Sequence, residues 1–139
     1  MADFTAVLGD YNTSSWSMRG WLALKHSGAS FDTVMVSFRD PDVKSHILAH
    51  SPSGLVPLLK HHTQDGDMLV WDSLAIIEFL NEMYPDAGLW PKDQAARAHA
   101  RVVSAEMHSG FAPLRNHMPM NLRDTKHGEG MGDGVADTI

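Results

Sequence analysis

Between Phe4 and Tyr84 the apolar residues switch repeatedly between a period of two and a helical period, and the order of those switches restricts the fold more than any single residue does. Residues 5–11 read as a short buried strand that breaks at Asn12-Thr13-Ser14-Ser15. From Ser15 the apolar positions Met18, Trp21 and Leu22 and the stem of Lys25 fall on one helical face, with Gly28 where a C-cap belongs. Phe31 to Phe38 sets Val34, Val36 and Phe38 at alternate positions, as in a second strand, and Asp40-Pro41 opens a helix that runs to about His50. After the loop Ser51-Pro52-Ser53-Gly54, Val56 to His61 is a third strand, Gln64-Asp65-Gly66-Asp67 a hairpin turn, and Met68 to Trp71 a fourth strand. Asp72 or Ser73 then caps a helix with Leu74, Ile77, Leu80 and Met83 at helical spacing, which closes at Tyr84-Pro85. The order β-α-β-α-β-β-α calls for an α/β fold, a mixed sheet with helices on its faces.

Beyond Pro85 the strand signals stop. The expected organisation is an α/β domain over residues 1–84, a linker over 85–91 and a partial all-α region over 92–139. Lys92 to Ser109 carries Ala95, Ala98, Val102 and Ala105 on one face of an amphipathic helix. Gly110-Phe111-Ala112-Pro113 and Met118-Pro119 interrupt that pattern, and the run from Gly128 to Gly134, glycine at every second position, reads as a flexible tail. This second region is too short to enclose a core of its own, so it is expected to lean on the first domain or on another chain.

The apolar share of 43% with 20% charged residues describes an ordinary globular protein. A net charge of -6 argues against nucleic acid as the main partner, since that binding rests on clustered Lys and Arg. The N-terminus lacks the basic flank and apolar core of a secretory signal, and no apolar run approaches the roughly 20 residues that span a bilayer. A cytoplasmic protein with no membrane partner is expected. The absence of cysteine removes disulfides, thiolate metal sites and any protein thiol nucleophile at once, so any thiol in the chemistry arrives with a substrate. The nine histidines do not form a metal pattern: His61 and His62 point to opposite faces of a strand, and His46 and His50, four apart, have no Glu between them and no obvious third ligand. No metal is expected.

Two motifs carry chemistry. Gly54-Leu55-Val56-Pro57-Leu58-Leu59 puts a proline at the mouth of an apolar strand, where the N–H and C=O of Val56 are left to pair with an extended ligand backbone. Leu69 to Ile76 ends a strand in Asp72-Ser73, which presents a hydroxyl and unpaired amides to a carboxylate. Together they suit a small, peptide-like anion, and glutathione is such a ligand. Each also has a purely structural reading: Asp72-Ser73 as a helix cap, Val56-Pro57 as the start of an edge strand, and Ser14 and Ser15 as N-caps of the first helix.

With these elements and motifs in order, nearly the whole chain resembles the glutathione S-transferase superfamily, most closely its zeta-type and related bacterial serine-containing members. Ser14-Ser15-Trp16-Ser17-Met18-Arg19 followed by Trp21-Leu22-Ala23-Leu24 resembles the zeta-type loop-helix signature; Val56-Pro57 resembles the family's cis-proline corner and Asp72-Ser73 its acid-serine pair. Ala105 to Phe111 and Pro119 to Arg123 resemble the early helical domain of bacterial relatives. The resemblance implies a thioredoxin-like N-terminal domain, glutathione as a substrate, a homodimer, and attack of the glutathione thiolate on a small electrophilic substrate. It implies that Ser14, with Ser15 as the next choice, faces the sulfur, where a hydroxyl near the positive end of a helix favours the ionised thiol. It further implies that Val56, at the Pro57 corner, pairs with the cysteinyl backbone and that Asp72 and Ser73 hold the γ-glutamyl end. Trp16 stands where the zeta pattern has cysteine and Leu55 where the family often has a polar residue, which weighs against the zeta-class maleylacetoacetate isomerisation. The family's helical domain is also much longer than residues 92–139, so a non-catalytic interaction or stress-response module on the same fold is the competing expectation.

Overall fold

The computed structural model describes residues 2–139. Its elements are β1 (Phe4–Gly9), α1 (Ser15–Ser27), β2 (Phe31–Val36), α2 (Val43–Leu48), β3 (Leu58–Thr63), β4 (Gly66–Trp71), α3 (Ser73–Met83), α4 (Gln94–Ser109) and α5 (Ala112–His117), with a single 3-10 turn at Pro85–Ala87. The chain separates into two compact units, one ending at Trp90 and the other beginning at Pro91.

In the first unit the strands form one sheet in the order β2-β1-β3-β4. β1 runs parallel to β2 and antiparallel to β3, which pairs antiparallel with β4 through the Gln64-Asp65 turn. Alternation along the strands feeds two cores. On one face Phe4, Ala6, Leu8 and Leu59 pack with Ala23 and Leu24 of α1 and Ile76 and Leu80 of α3. On the other, Val7, Val36 and Leu58 pack with Ile47 of α2. Full burial of side chains such as Leu59 and Leu80 contributes about 1.5–3 kcal/mol each.

The first helix buries a different stripe from the expected one. Ser17, Gly20, Ala23 and Leu24 are buried, whereas Met18 and Trp21 are half-buried and Leu22 is exposed. Small residues let α1 approach its neighbours closely: a Cβ on Gly20 would lie 3.2 Å from Pro57 Cγ. α3 shows the same offset, with Ser73, Ile76 and Leu80 buried and Met83 exposed. Trp71, at the end of an edge strand, is likewise exposed. His61 lies against Phe4, ring centroids 4.8 Å apart, while His62 bonds Thr5 Oγ1 and Asp67 Oδ1 on the opposite face.

In the second unit Asp93 caps α4 by accepting from Ala96 N at 2.8 Å. The expected apolar face of Ala95, Ala98, Val102 and Ala105 is exposed; the partly covered stripe is Arg97, Ala100, Ser104 and His108. Polar side chains reaching backbone carbonyls occupy that stripe: Arg97 donates to Pro91 O and Lys92 O, and Arg115 of α5 donates to Met107 O and His108 O. Two of the alternating glycines lie close against the end of α5. A Cβ on Gly130 would lie 2.5 Å from Met118 Cγ and one on Gly132 2.3 Å from the His117 ring, so the spacing of two serves close backbone packing against α5.

Candidate active site

Strand register decides where the motifs meet. Leu58, the first residue of β3, lies opposite Val7 near the end of β1, and Trp71, the last residue of β4, lies opposite Leu58. The segments that follow β1, precede β3 and follow β4 therefore emerge at one end of the sheet. Those segments contain Ser14 and Ser15, Val56 and Pro57, and Asp72 and Ser73. Crevices beyond the carboxyl ends of strands are where open α/β sheets bind ligands.

The Val56–Pro57 peptide bond is cis. Pro57 is buried and Val56 half-buried, and Val56 lies outside the ladder that begins at Leu58. The approach to this corner is braced: Gly54 takes a left-handed conformation, and its carbonyl accepts from Lys44 Nζ at 2.9 Å. Leu55, just before the corner, is exposed.

Asp72 is the N-cap of α3, its Oδ1 accepting from Leu74 N at 2.9 Å. It holds φ at 78°, a conformation that costs a non-glycine residue about 1–3 kcal/mol and that gathers at functional sites. Ser73 opens the helix and is 1% exposed, yet its Oγ has no hydrogen-bond partner among the described residues. Buried hydroxyls are ordinarily paired.

Ser14 is the N-cap of α1 and is buried. Its Oγ accepts from Ser17 N at 3.3 Å and donates to Ser17 Oγ at 2.8 Å, and Ser17 Oγ in turn accepts from Gly9 N at 2.8 Å. Ser15, the first residue of the helix, is half-buried. Trp16 follows, with the Arg19 guanidinium 4.1 Å from its ring centroid. Sequence reasoning gave no role to Ser17, Gly9 or Gly20. The Ser14/Ser17 spacing was the available signal, since a cap hydroxyl and the third helical residue face each other.

Among the described residues no three of His, Asp and Glu gather as metal ligands, and no helix is long and apolar enough to cross a membrane.

Comparison with known proteins identifies the family. Residues 13–83, which contain all six candidate residues, match the glutathione S-transferase N-terminal domain family. A probable maleylacetoacetate isomerase of Caenorhabditis elegans is 36% identical over 126 residues, covering 91% of this chain and 57% of its own. A maleylacetoacetate isomerase of Pseudomonas aeruginosa is 37% identical, covering 80% and 51%. Among solved structures, the maleylacetoacetate isomerase of Anaeromyxobacter dehalogenans with bound dicarboxyethyl glutathione and citrate superposes with a TM-score of 0.63 at 29% identity, covering 84% of this chain and 51% of that one. The chain spans about half the length of these relatives. Its first unit has the thioredoxin-like fold of the family, and the chain belongs to the glutathione S-transferases.

Proposed function

We propose that the protein binds glutathione and promotes attack of its thiolate on a small electrophilic substrate. Ser14 faces the sulfur, with Ser15 beside it at the first turn of α1. The backbone of Val56 at the Pro57 corner pairs with the cysteinyl residue, and Ser73 with the amides after Asp72 holds the γ-glutamyl carboxylate. The observation that carries this reading is the Ser73 hydroxyl: a buried, unpartnered donor at the N-terminus of an 11-residue helix suits a carboxylate. A structural cap has no use for it, because Asp72 already caps the helix. Family membership supports a catalytic role over a non-catalytic module. The protein acts as a homodimer in the cytoplasm, in detoxification of electrophiles.

Isomerisation of maleylacetoacetate is the second reading. Its similarity to maleylacetoacetate isomerases favours it, and Trp16 in place of the zeta-type cysteine tells against it.

The test is retention on immobilised glutathione followed by turnover of a model electrophile. Ser14→Ala is expected to slow conjugation at least tenfold, the scale of one lost hydrogen bond to an ionised group, with binding retained. Binding without turnover in the parent chain would support the module instead, and no binding at all would sink the assignment of the site.

A further inference from the structure

We propose that Ser17 is a positioning residue for the thiol-facing hydroxyl, and that its bond from Gly9 lets Ser14 release its proton outward at little cost. The proposal rests on the glutathione reading above. Ser14 Oγ is held from one residue twice, by Ser17 N–H at 3.3 Å and by Ser17 Oγ at 2.8 Å. Both serines are buried, 5% and 2% exposed, so neither hydroxyl has bulk water as a ready alternative. In this state the Ser14 proton points inward, to Ser17. To stabilise a thiolate it must turn outward, by rotation about the Cβ–Oγ bond of Ser14 with the oxygen held in place by Ser17 N–H.

Such a rotation takes a hydrogen bond away from Ser17 Oγ. A buried oxygen stripped of its only donor would be expensive to leave behind. Here it is not stripped, because Gly9 N–H, at the end of β1, still donates to it at 2.8 Å. Ser17 therefore serves as a replaceable acceptor: it parks the Ser14 proton when no sulfur is present and gives it up when one arrives. The helix also gains a fixed origin relative to the sheet, since one side chain ties the last residue of β1 to the cap of α1. The charged groups nearest in sequence are Asp10, whose Oδ1 accepts from Asn12 N, and Arg19, stacked on Trp16; neither is altered by the variants below.

The test uses the full chain saturated with glutathione, with the bound thiolate followed by its ultraviolet absorbance as pH is varied. Once Ser14 has turned outward, the Ser17 hydroxyl, still fixed by Gly9 N–H, turns its own proton onto Ser14 Oγ and supports it as a donor. Without that support the thiol pKa rises, so Ser17→Ala is expected to leave roughly 3- to 10-fold less thiolate at neutral pH, with the glutathione Kd changed less than about twofold. The same substitution in a Ser14→Ala background is expected to do nothing further, because Ser17 acts through Ser14. An unmoved thiolate titration in Ser17→Ala, or an equal effect with Ser14 already removed, overturns the proposal. If the alanine variant does not fold, Ser17→Cys, a weaker acceptor of similar size, is read in the same way after subtracting its ligand-free titration. A parent chain that binds no glutathione removes the functional reading and this inference with it. Binding with an unmoved thiolate removes the inference alone.

Discussion

Replacing Ser73 by alanine separates a ligand-binding hydroxyl from a helix-capping one, because the two roles predict opposite effects on the free protein. Ser73 Oγ is buried without a partner, and an unsatisfied buried hydroxyl costs about 1–3 kcal/mol. Alanine removes that cost and has a better helix propensity by a few tenths of a kcal/mol, while the cap bond from Leu74 N to Asp72 is untouched. Ligand-free Ser73→Ala is therefore expected to be as stable as the parent or up to about 2 kcal/mol more stable in urea unfolding. With glutathione the balance shifts toward the parent. A lost hydrogen bond to a carboxylate, about 1.5–3 kcal/mol, weakens Kd roughly 10- to 150-fold. At glutathione near 100 times the parent Kd the parent gains about 2.7 kcal/mol, and a variant binding roughly 10- to 150-fold more weakly gains only about 0.3–1.4 kcal/mol. Paired urea titrations with and without glutathione, beside calorimetric binding, test this shift in relative stability. A free variant destabilised by more than about 1 kcal/mol, or one with unchanged affinity, would refute the reasoning.

Three other predictions follow from packing and charge. Gly20→Val adds methyl groups where a Cβ alone would lie 3.2 Å from Pro57 Cγ and 3.7 Å from Ile76 Cδ1; urea midpoints should fall by the equivalent of about 1–3 kcal/mol, with glutathione affinity lost as Pro57 moves. Gly132→Leu, whose Cβ would lie 2.3 Å from the His117 ring, should release the glycine-rich segment, seen as faster proteolytic cleavage within 128–134; an unchanged cleavage rate would show that the segment does not depend on that contact. Burial, and then the Asp3 carboxylate, hold the Tyr84 phenol above its ordinary value. A raised acid pKa gives stability that is full below the unfolded value of about 10 and is lost as pH rises through the folded one. Tyr84→Phe should remove that alkaline loss, measured as urea midpoints on either side of pH 10.

The parts of this fold legible in the sequence are those where local chemistry and tertiary context agree. Gly28 closes α1 with φ at 75°, Asp72 caps α3, and the Gln64 to Asp67 turn joins β3 to β4, because glycine, aspartate and tight turns are specified within a few residues. The buried faces of α1 and α3 were legible only to within one position. Ser17, Gly20 and Ala23 carry little hydrophobic signal, and what buries them is close approach to Pro57 and α3, a property of the whole unit. The exposed face of α4 and the close packing of Gly130 and Gly132 escaped for the same reason: apolar spacing shows which residues could be covered, not which are. At the candidate site the individual groups were visible, but the unpartnered state of the Ser73 hydroxyl depends on what packs around it, and the Gly9–Ser17–Ser14 chain, though it spans only nine residues, on the angle at which α1 leaves β1.

The sheet register that gathers three distant segments at one end also divides the labour of natural selection. Phe4, Leu59 and Leu80 keep the layers together, whereas Ser14 and Ser73 lie in segments that flank strands β1 and β4 at that end; Val56, before β3, does both, since it packs against the Val7 and Leu58 core. Replacements at the exposed positions of the flanking segments, such as Leu55, leave the core intact, whereas changes at Val56 or Pro57 reach core and candidate site together. Trp16 in place of a zeta-type cysteine is a substitution of that kind: Ser14 and Gly28 delimit the same helix whichever residue stands between them. The strands are thus the frame, and the three segments at one end are where a local replacement changes what the sheet presents.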